Sequence, residues 1–181
     1  MKKSWKQEMY SVLKCIVFAF ILVLICRNYL FSPSVVHGNS MSPTFEDGNK
    51  IILSKIADIQ RFDMIVFHAP DSDNNYIKRV IGLPGDTISV TDDILYVNGK
   101  AYKEPYLTEN KKEASTPKLT GDFTLWERTG KTTVPKDSLF VLGDNRLYSK
   151  DSRIFGFINK NSVIGKVVLR IYPLMKLDFH K

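Results

Sequence analysis

Two side chains of this 181-residue chain are of the types needed for acyl transfer. Ser40 lies in the run Gly-Asn-Ser-Met-Ser-Pro-Thr (38–44), and Lys78 lies in the run Tyr-Ile-Lys-Arg-Val-Ile-Gly (76–82). A serine hydroxyl becomes an effective nucleophile when a nearby base takes its proton, and a lysine can be that base only while its amine is neutral. The pair therefore predicts serine chemistry with a lysine general base.

The residue pattern around Lys78 indicates how its amine could be kept neutral. Neighbouring residues of 76–81 would face opposite sides of a strand, so Lys78 and Arg79 would each lie among apolar side chains on its own face. Burial disfavours the ammonium form and lowers the pKa of a lysine. From the pattern alone, the alternative stays open that both cations lie at a sheet edge and reach water.

Other catalytic classes lack the residues that they need. The three histidines, His37, His68 and His180, are scattered, and a residue three positions before Ser40 in an extended segment usually points away from it. No HExxH or CxxC spacing supplies metal ligands, and Gly82–Gly85 lacks the spacing of a phosphate-binding loop. We therefore predict neither a metal site nor a cofactor.

The positive charge of the chain is concentrated near its N-terminus. Residues 1–31 carry five basic side chains and one acidic one, a net +4 of the total +7, which leaves +3 for the remainder. That remainder shows no basic stripe interleaved with aromatic residues, as a nucleic-acid groove would need. No nucleic-acid partner is therefore predicted.

Residues 12–31 are long enough to anchor the chain in a lipid bilayer. They contain an uninterrupted run of twelve apolar residues, Cys15–Cys26, and as a helix they would span about 30 Å. A cleaved signal peptide is the alternative, but no small-x-small cleavage site follows. Because the basic residues precede the apolar run, we expect a cytoplasmic N-terminus (1–11), a single transmembrane anchor in the cell membrane (12–31) and an extracytoplasmic remainder.

The part after residue 31 is predicted to be mainly β. Short runs of β-branched and aromatic residues alternate with turn signals, and Asn98-Gly99 between two such runs is typical of a type I′ hairpin turn. The polar stretch 104–136 is predicted to be a small inserted lobe, so that 32–103 and 137–181 form an antiparallel β core. The predicted strands are Asn49–Leu53, Asp63–Phe67, Tyr76–Gly82, Thr87–Val90, Ile94–Val97, Leu139–Leu142 and Val163–Ile171.

The segment Leu142–Arg153 is rich in polar and charged residues and begins at the end of the predicted strand Leu139–Leu142. By its spacing alone it would be a solvated turn. Together with the two runs above, its order and spacing resemble type I signal peptidases of the Gram-positive type. The motifs that carry the resemblance are Gly38-x-Ser40-Met41-x-Pro43-Thr44, Tyr76-Ile77-Lys78-Arg79-Val80-Ile81-Gly82-Leu83-Pro84-Gly85-Asp86 and Gly143-Asp144-Asn145-Arg146-x-x-Ser149-x-Asp151-Ser152-Arg153-x-x-Gly156.

The resemblance implies a membrane-anchored serine endopeptidase that removes signal peptides from exported preproteins. Ser40 would attack the scissile carbonyl, and Lys78 would take its proton and later activate the deacylating water. Residues expected to support them are Ser149, which would hydrogen-bond the lysine nitrogen, Arg79 and Asp144, which would form an ion pair, and Asp151 and Arg153, which would complete the scaffold.

The resemblance also implies cleavage after small residues, usually Ala-x-Ala, which calls for shallow apolar pockets. The substrate backbone would add as a strand beside the segment leading to Ser40. The positions that match the pocket lining are Val36, Met41, Tyr76 and Ile77.

One position departs from the Gram-negative pattern. Gly38 stands where those members have a serine whose hydroxyl helps to form the oxyanion hole. The hole would then depend on the backbone N–H of Ser40 and on a second donor that the sequence does not name.

Two other functions stay open at this point. A catalytically silent, membrane-anchored β module would bind extended peptides or scaffold a secretion complex, although the presence of Ser40, Lys78 and Ser149 together argues against it. A serine/lysine processing peptidase with a narrow client would keep the chemistry. Within this second class, a relative of the self-cleaving SOS repressors is disfavoured, because those repressors lack the N-terminal anchor that residues 12–31 predict here.

Overall fold

The computed structural model describes residues 5–173 and 178–179. Residues 1–4 of the predicted cytoplasmic end, residues 174–177, and His180 with Lys181 lie outside the described residues. The helices are α1 (Trp5–Ile25), α2 (Thr108–Glu113), α3 (Leu125–Thr129) and α4 (Ser152–Phe155). The strands are β1 (Phe31–Val35), β2 (Lys50–Ser54), β3 (Met64–His68), β4 (Asn75–Gly82), β5 (Ile88–Thr91), β6 (Ile94–Val97), β7 (Lys100–Tyr102), β8 (Phe123–Thr124), β9 (Ser138–Leu142), β10 (Ile158–Asn159), β11 (Val163–Tyr172) and β12 (Asp178–Phe179).

The strands confirm the mainly β prediction. Each of the seven predicted strands is present, with both ends within one residue of the expected bounds. The periodicity of β-branched and aromatic residues located them because each strand buries at least one of its faces. β1 was not predicted because it contains Pro33, which disfavours a strand. The strand forms because it lies at the edge of the sheet, where proline is tolerated.

The N-terminal segment differs from the expected span of 12–31. α1 begins at Trp5, seven residues before the expected span, and ends at Ile25, just before the polar Arg27 and Asn28. A π-helical turn over Cys26–Leu30 then leads into β1. Its apolar side chains between Val12 and Leu24 are exposed. Within the described residues, no helix is both long and apolar enough to cross a membrane.

The larger sheet has eight strands and contains Lys78. Its order is β1-β2-β11-β3-β4-β9-β10, with β12 paired to β11, and all of its pairs are antiparallel. β4 therefore lies in the interior of the sheet, where Lys78 is opposite Ile65 of β3. On the other side, pairing with β9 extends only to Arg79, which is opposite Leu142. Lys78 is thus placed beside the loop that follows β9.

The smaller sheet has the order β7-β6-β5-β8. Positive φ angles of 53° at Asn98 and 76° at Gly99 confirm the left-handed turn between β6 and β7. β8 comes from the stretch 104–136 and pairs with β5, so this stretch shares a sheet with strands that the sequence had grouped with the core. Its buried apolar residues are Leu107, Leu119, Phe123, Leu125 and Val134, whereas Trp126 is exposed.

Alternation along β4 separates two apolar clusters. Ile77 faces one cluster, and Val80 faces another on the opposite side of the strand. Lys78 and Arg79 lie between them and are only 3% and 7% exposed. The sheet-edge alternative for these two cations is therefore wrong. The cluster beneath the Ser40 segment consists of Val36, Met41, Phe45, Ile51, Leu53, Met64, Val66, Ile77 and Val167.

Candidate active site

Ser40 and Lys78 meet although 38 residues separate them in the chain. Ser40 lies in the turn that follows β1, and Lys78 reaches it from β4. Lys78 Nζ lies 2.6 Å from Ser40 Oγ and 3.0 Å from the carbonyl oxygen of Ile77. The nitrogen is therefore within proton-transfer distance of the serine hydroxyl.

The surroundings of Lys78 favour its neutral form. Burial lowers the pKa of Lys78 from its ordinary 10.5 to about 8, against the opposing effect of the Asp151 and Asp144 carboxylates. The ring of Tyr76 covers the amine at 5.2 Å from its centroid. With this pKa, about a tenth of the molecules hold a neutral lysine at pH 7, so a base is available near neutrality.

Arg79 forms a buried ion pair with Asp144. Its Nε lies 2.8 Å from Asp144 Oδ1 and its second terminal nitrogen 2.6 Å from Oδ2. The remaining nitrogen donates to the carbonyl of Phe62, and Asp144 also accepts a hydrogen bond from Thr44 Oγ1 at 2.6 Å. Because Arg79 and Lys78 are adjacent on β4 and face opposite ways, the ion pair holds the strand from the face opposite the one that presents Lys78 to Ser40.

Asp151 and Arg153 order the loop that follows β9. The Asp151 carboxylate caps α4 by accepting from the Arg153 backbone, pairs with the Arg153 guanidinium at 2.8 Å and accepts from the backbone N–H of Gly143 at 3.0 Å. Arg153 also donates to the carbonyl of Arg146. These contacts close residues 143–153 into a compact loop beside Ser40.

Gly143 is the point at which this loop and the Ser40 turn touch. A β-carbon there would lie 2.1 Å from Ser149 Oγ and 2.5 Å from the Ser40 carbonyl oxygen, distances that real side chains do not adopt. The same carbonyl accepts the backbone N–H of Asn145 at 3.0 Å. The close approach therefore requires glycine at position 143.

A groove of about 920 Å³ opens beside Ser40 and Lys78. It runs between residues 33–40 and residues 74–78, with Tyr148 and Lys150 at its rim. One wall is formed by the end of β1 and the turn that carries Ser40, and the other by the start of β4. Because a strand contributes to each wall, the shape of the groove suits an extended peptide.

Comparison with known proteins identifies the family. The family model described as signal peptidase, peptidase S26, matches residues 9–172. The chain belongs to this signal peptidase family. Members of peptidase S26 are serine endopeptidases, so the chain is an enzyme of that class, and the resemblance noted in the three motifs is confirmed.

Two signal peptidases match most of the chain in sequence, and a crystal structure of a third matches about three fifths of it. It is 53% identical over 165 residues to signal peptidase I of Bacillus caldolyticus, covering 89% of this chain and 90% of that protein. It is 36% identical over 183 residues to signal peptidase IB of Staphylococcus aureus (strain MRSA252), covering 97% and 95%. A crystal structure of signal peptidase I from Enterococcus faecalis V583 is 47% identical, with a TM-score of 0.59, and covers 61% of this chain and 97% of that chain.

Two residues singled out by the resemblance to signal peptidases are not placed as expected. Met41 is fully buried in the cluster beneath Ser40 and does not line the groove, whereas Val36, Tyr76 and Ile77 do. Ser149 Oγ is buried without a hydrogen-bond partner among the described residues, so the expected bond to Lys78 is not formed. The lysine instead contacts Ser40 and the Ile77 carbonyl, while Ser149 packs against Gly143.

Gly38 does not supply an oxyanion donor to this signal peptidase site. Gly38 has a left-handed φ of 78°, and its backbone N–H donates to Asp47 Oδ1 at 2.8 Å. This engaged N–H is not free to bind an oxyanion. The backbone N–H of Ser40 remains the predicted first donor.

Several residues that hold the peptidase site were missed by the sequence reasoning. Arg146 stands in the third motif but had no role, and Glu104 and Asn110 come from the polar stretch 104–136. Arg146 is fully buried and donates to Glu104 and to the Gly143 carbonyl. No local pattern marks these contacts, because each joins segments that are distant in the sequence or depends on a loop conformation.

Proposed function

We propose that this enzyme cleaves signal peptides from exported preproteins after small residues, with Ser40 as nucleophile and neutral Lys78 as general base. The observation that carries the proposal is the 2.6 Å distance between Ser40 Oγ and a lysine nitrogen that is almost fully buried. A fully solvated lysine would be protonated at neutral pH and could not take a proton.

Acylation follows from this arrangement. Lys78 Nζ accepts the Ser40 hydroxyl proton as Oγ attacks the scissile carbonyl carbon, which gives a tetrahedral oxyanion near the Ser40 backbone N–H. The intermediate collapses when the carbon–nitrogen bond breaks, and the lysine ammonium returns its proton to the departing amine. The amine becomes the new N-terminus of the mature protein, and the signal peptide is held as an ester of Ser40.

Deacylation reuses the same base. Lys78 takes a proton from a water molecule as its oxygen attacks the ester carbonyl. Collapse of the second tetrahedral intermediate expels Ser40 Oγ, which recovers its proton from the lysine. The signal peptide leaves with a new carboxyl group, and the enzyme returns to its starting protonation state.

The groove supports the preference for small residues. A peptide lying between residues 33–40 and 74–78 would place its side chains against Val36 and Ile77, which are 2% and 8% exposed and offer little depth. Since these side chains pack into the core beneath, the pockets cannot deepen without disturbing it. Alanine fits such pockets, and larger side chains would clash.

Attachment to the cell membrane is part of the same proposal. α1 exposes apolar side chains from Val12 to Leu24, an unfavourable surface in water that lipid would cover. The basic side chains near the N-terminus favour a cytoplasmic start, which would place the site on the outer side of the membrane. Signal peptides end on that side after export.

The test is cleavage of a preprotein carrying an Ala-x-Ala site by the detergent-solubilised enzyme. Ser40→Ala and Lys78→Ala should each reduce kcat by about 10³-fold or more, because each removes a member of one catalytic unit. Lys112→Ala, an exposed change in α2, is the matched control and should cleave at the normal rate.

Normal cleavage by either site variant would overturn the assigned mechanism. Failure of the unmodified enzyme to cleave general preproteins, combined with cleavage of one dedicated substrate, would favour the narrow-client peptidase. No cleavage of any substrate would favour the silent peptide-binding module.

A further inference from the structure

Asn110 in α2 contacts both segments that carry the candidate site. Its side-chain nitrogen donates to the carbonyl of Ser42 at 2.9 Å and to the carbonyl of Asp144 at 2.7 Å. A side-chain amide nitrogen has two hydrogens, so both are used. The Ser42 carbonyl lies two residues beyond the nucleophile, and the Asp144 carbonyl lies one residue beyond Gly143. Asn110 therefore joins the Ser40 turn to the loop after β9.

The residues before α2 are firmly held, which gives Asn110 a fixed base. Glu104 accepts hydrogen bonds from the buried Arg146 and from Tyr106 Oη. The Tyr106 ring lies 3.9 Å from the guanidinium carbon of Arg79, and Leu107 is fully buried. The stretch 104–110 is thus packed against the same Arg79 that pairs with Asp144.

The distance between Ser40 and Lys78 depends on the relative position of the segments that Asn110 joins. Ser40 belongs to the turn that follows β1, whereas Lys78 lies on β4 next to Arg79. The partner of Arg79 is Asp144, which lies in the loop of residues 143–153, the Asp144 loop. A shift of the turn relative to Asp144 therefore moves Oγ relative to Nζ. A misplacement of about 1 Å at reacting atoms can cost about 10²-fold in rate.

We propose that Asn110 is a positioning residue for the peptidase reaction, which tethers the Ser40 turn to the Asp144 loop and thereby sets the Ser40–Lys78 distance. This inference rests on the proposed function. Asn110 does not line the groove, so it should affect the chemical step and not substrate binding.

The experiment compares Asn110→Leu and Asn110→Gln with Lys112→Ala in the full-length, detergent-solubilised enzyme. Leucine keeps the same branched arrangement of four side-chain heavy atoms but is bulkier and has no donor, whereas glutamine keeps the amide. We expect Asn110→Leu to lower kcat by about 10- to 100-fold with KM within about twofold, and Asn110→Gln to recover part of kcat. All three variants should remain folded: the Tm of Lys112→Ala should match that of the unmodified enzyme, and the Tm of Asn110→Leu should fall by only several degrees, because two hydrogen bonds at a half-buried site are lost.

Hydrogen exchange supplies a readout that does not depend on cleavage. Asn110→Leu should speed amide exchange in peptides covering 39–45 and 143–149, and leave peptides of β5 and β6 unchanged. Unchanged exchange and unchanged kcat would each overturn the inference. So would a loss of kcat that Asn110→Gln shares in full. If the unmodified enzyme fails to cleave, the proposed function fails, and exchange alone still decides whether Asn110 tethers the two segments.

Discussion

At the scale of the residue, the proposed chemistry depends on how Lys78 is desolvated. Interior placement in the sheet, a covering tyrosine ring and adjacent apolar clusters remove water from the amine. Two carboxylates, Asp144 and Asp151, would raise its pKa, yet their charges are shared with Arg79 and Arg153. The net effect leaves a base that loses its proton near pH 8.

This pKa predicts the pH dependence of activity. Below about pH 8, kcat/KM should rise roughly tenfold per pH unit as Lys78 loses its proton, and then level off. The measurement is kcat/KM for a preprotein peptide from about pH 6 to pH 10. A flat profile below pH 8 would contradict a lysine base. Lys112→Ala should show the same profile as the unmodified enzyme.

The same shift predicts a pH dependence of stability. The folded-state pKa of Lys78 lies below its ordinary value, so the unfolded chain binds more protons between about pH 8 and pH 10.5. The contribution of this group to the free energy of unfolding therefore increases as pH rises through that window. Denaturant unfolding of Lys78→Met should lack this increase, and an identical pH slope in both proteins would argue against the shift.

At the scale of the element, β4 combines two tasks by alternation. One face presents Lys78 to Ser40, and the other presents Arg79 to Asp144, so the strand that carries the base is also held in place by an ion pair. Both residues lie where the β9 side of the ladder ends, and this leaves room for the loop of residues 143–153.

Removing one member of that ion pair should be costly. Asp144→Ala leaves the Arg79 guanidinium buried without its carboxylate, which should lower the free energy of unfolding by about 3–5 kcal/mol. Asp122→Ala, which breaks the exposed pair with Lys118, should change stability little and is the control. Chemical denaturation measures both free energies of unfolding. If Asp144→Ala lowered this free energy as little as Asp122→Ala, Arg79 would have found another partner.

At the scale of the whole molecule, the exposed apolar surface of α1 is the feature that the sheets do not explain. No helix among the described residues meets the requirements for crossing a bilayer. The apolar surface from Val12 to Leu24 nevertheless predicts association with lipid.

Charges placed on that surface should release the protein from membranes. We expect the double substitution Phe18→Asp and Ile21→Asp to move the protein from the membrane fraction to the soluble fraction, while cleavage of a short soluble peptide continues. Trp126→Asp, at a site that is also exposed but far from α1 in the chain, should leave the distribution unchanged. Retention of the double variant in the membrane fraction would place the attachment elsewhere.

The sequence determined the features that depend on neighbouring residues. Strand positions, the turn at Asn98-Gly99, the two faces of β4 and the motifs with Ser40 and Lys78 were all readable, because alternation and turn chemistry act over a few residues. The tertiary structure alone decided which distant groups meet. Met41 is buried in the core, and Ser149 does not hydrogen-bond Lys78. Asn110 hydrogen-bonds Ser42 and Asp144. Such contacts depend on how whole segments pack and not on local pattern.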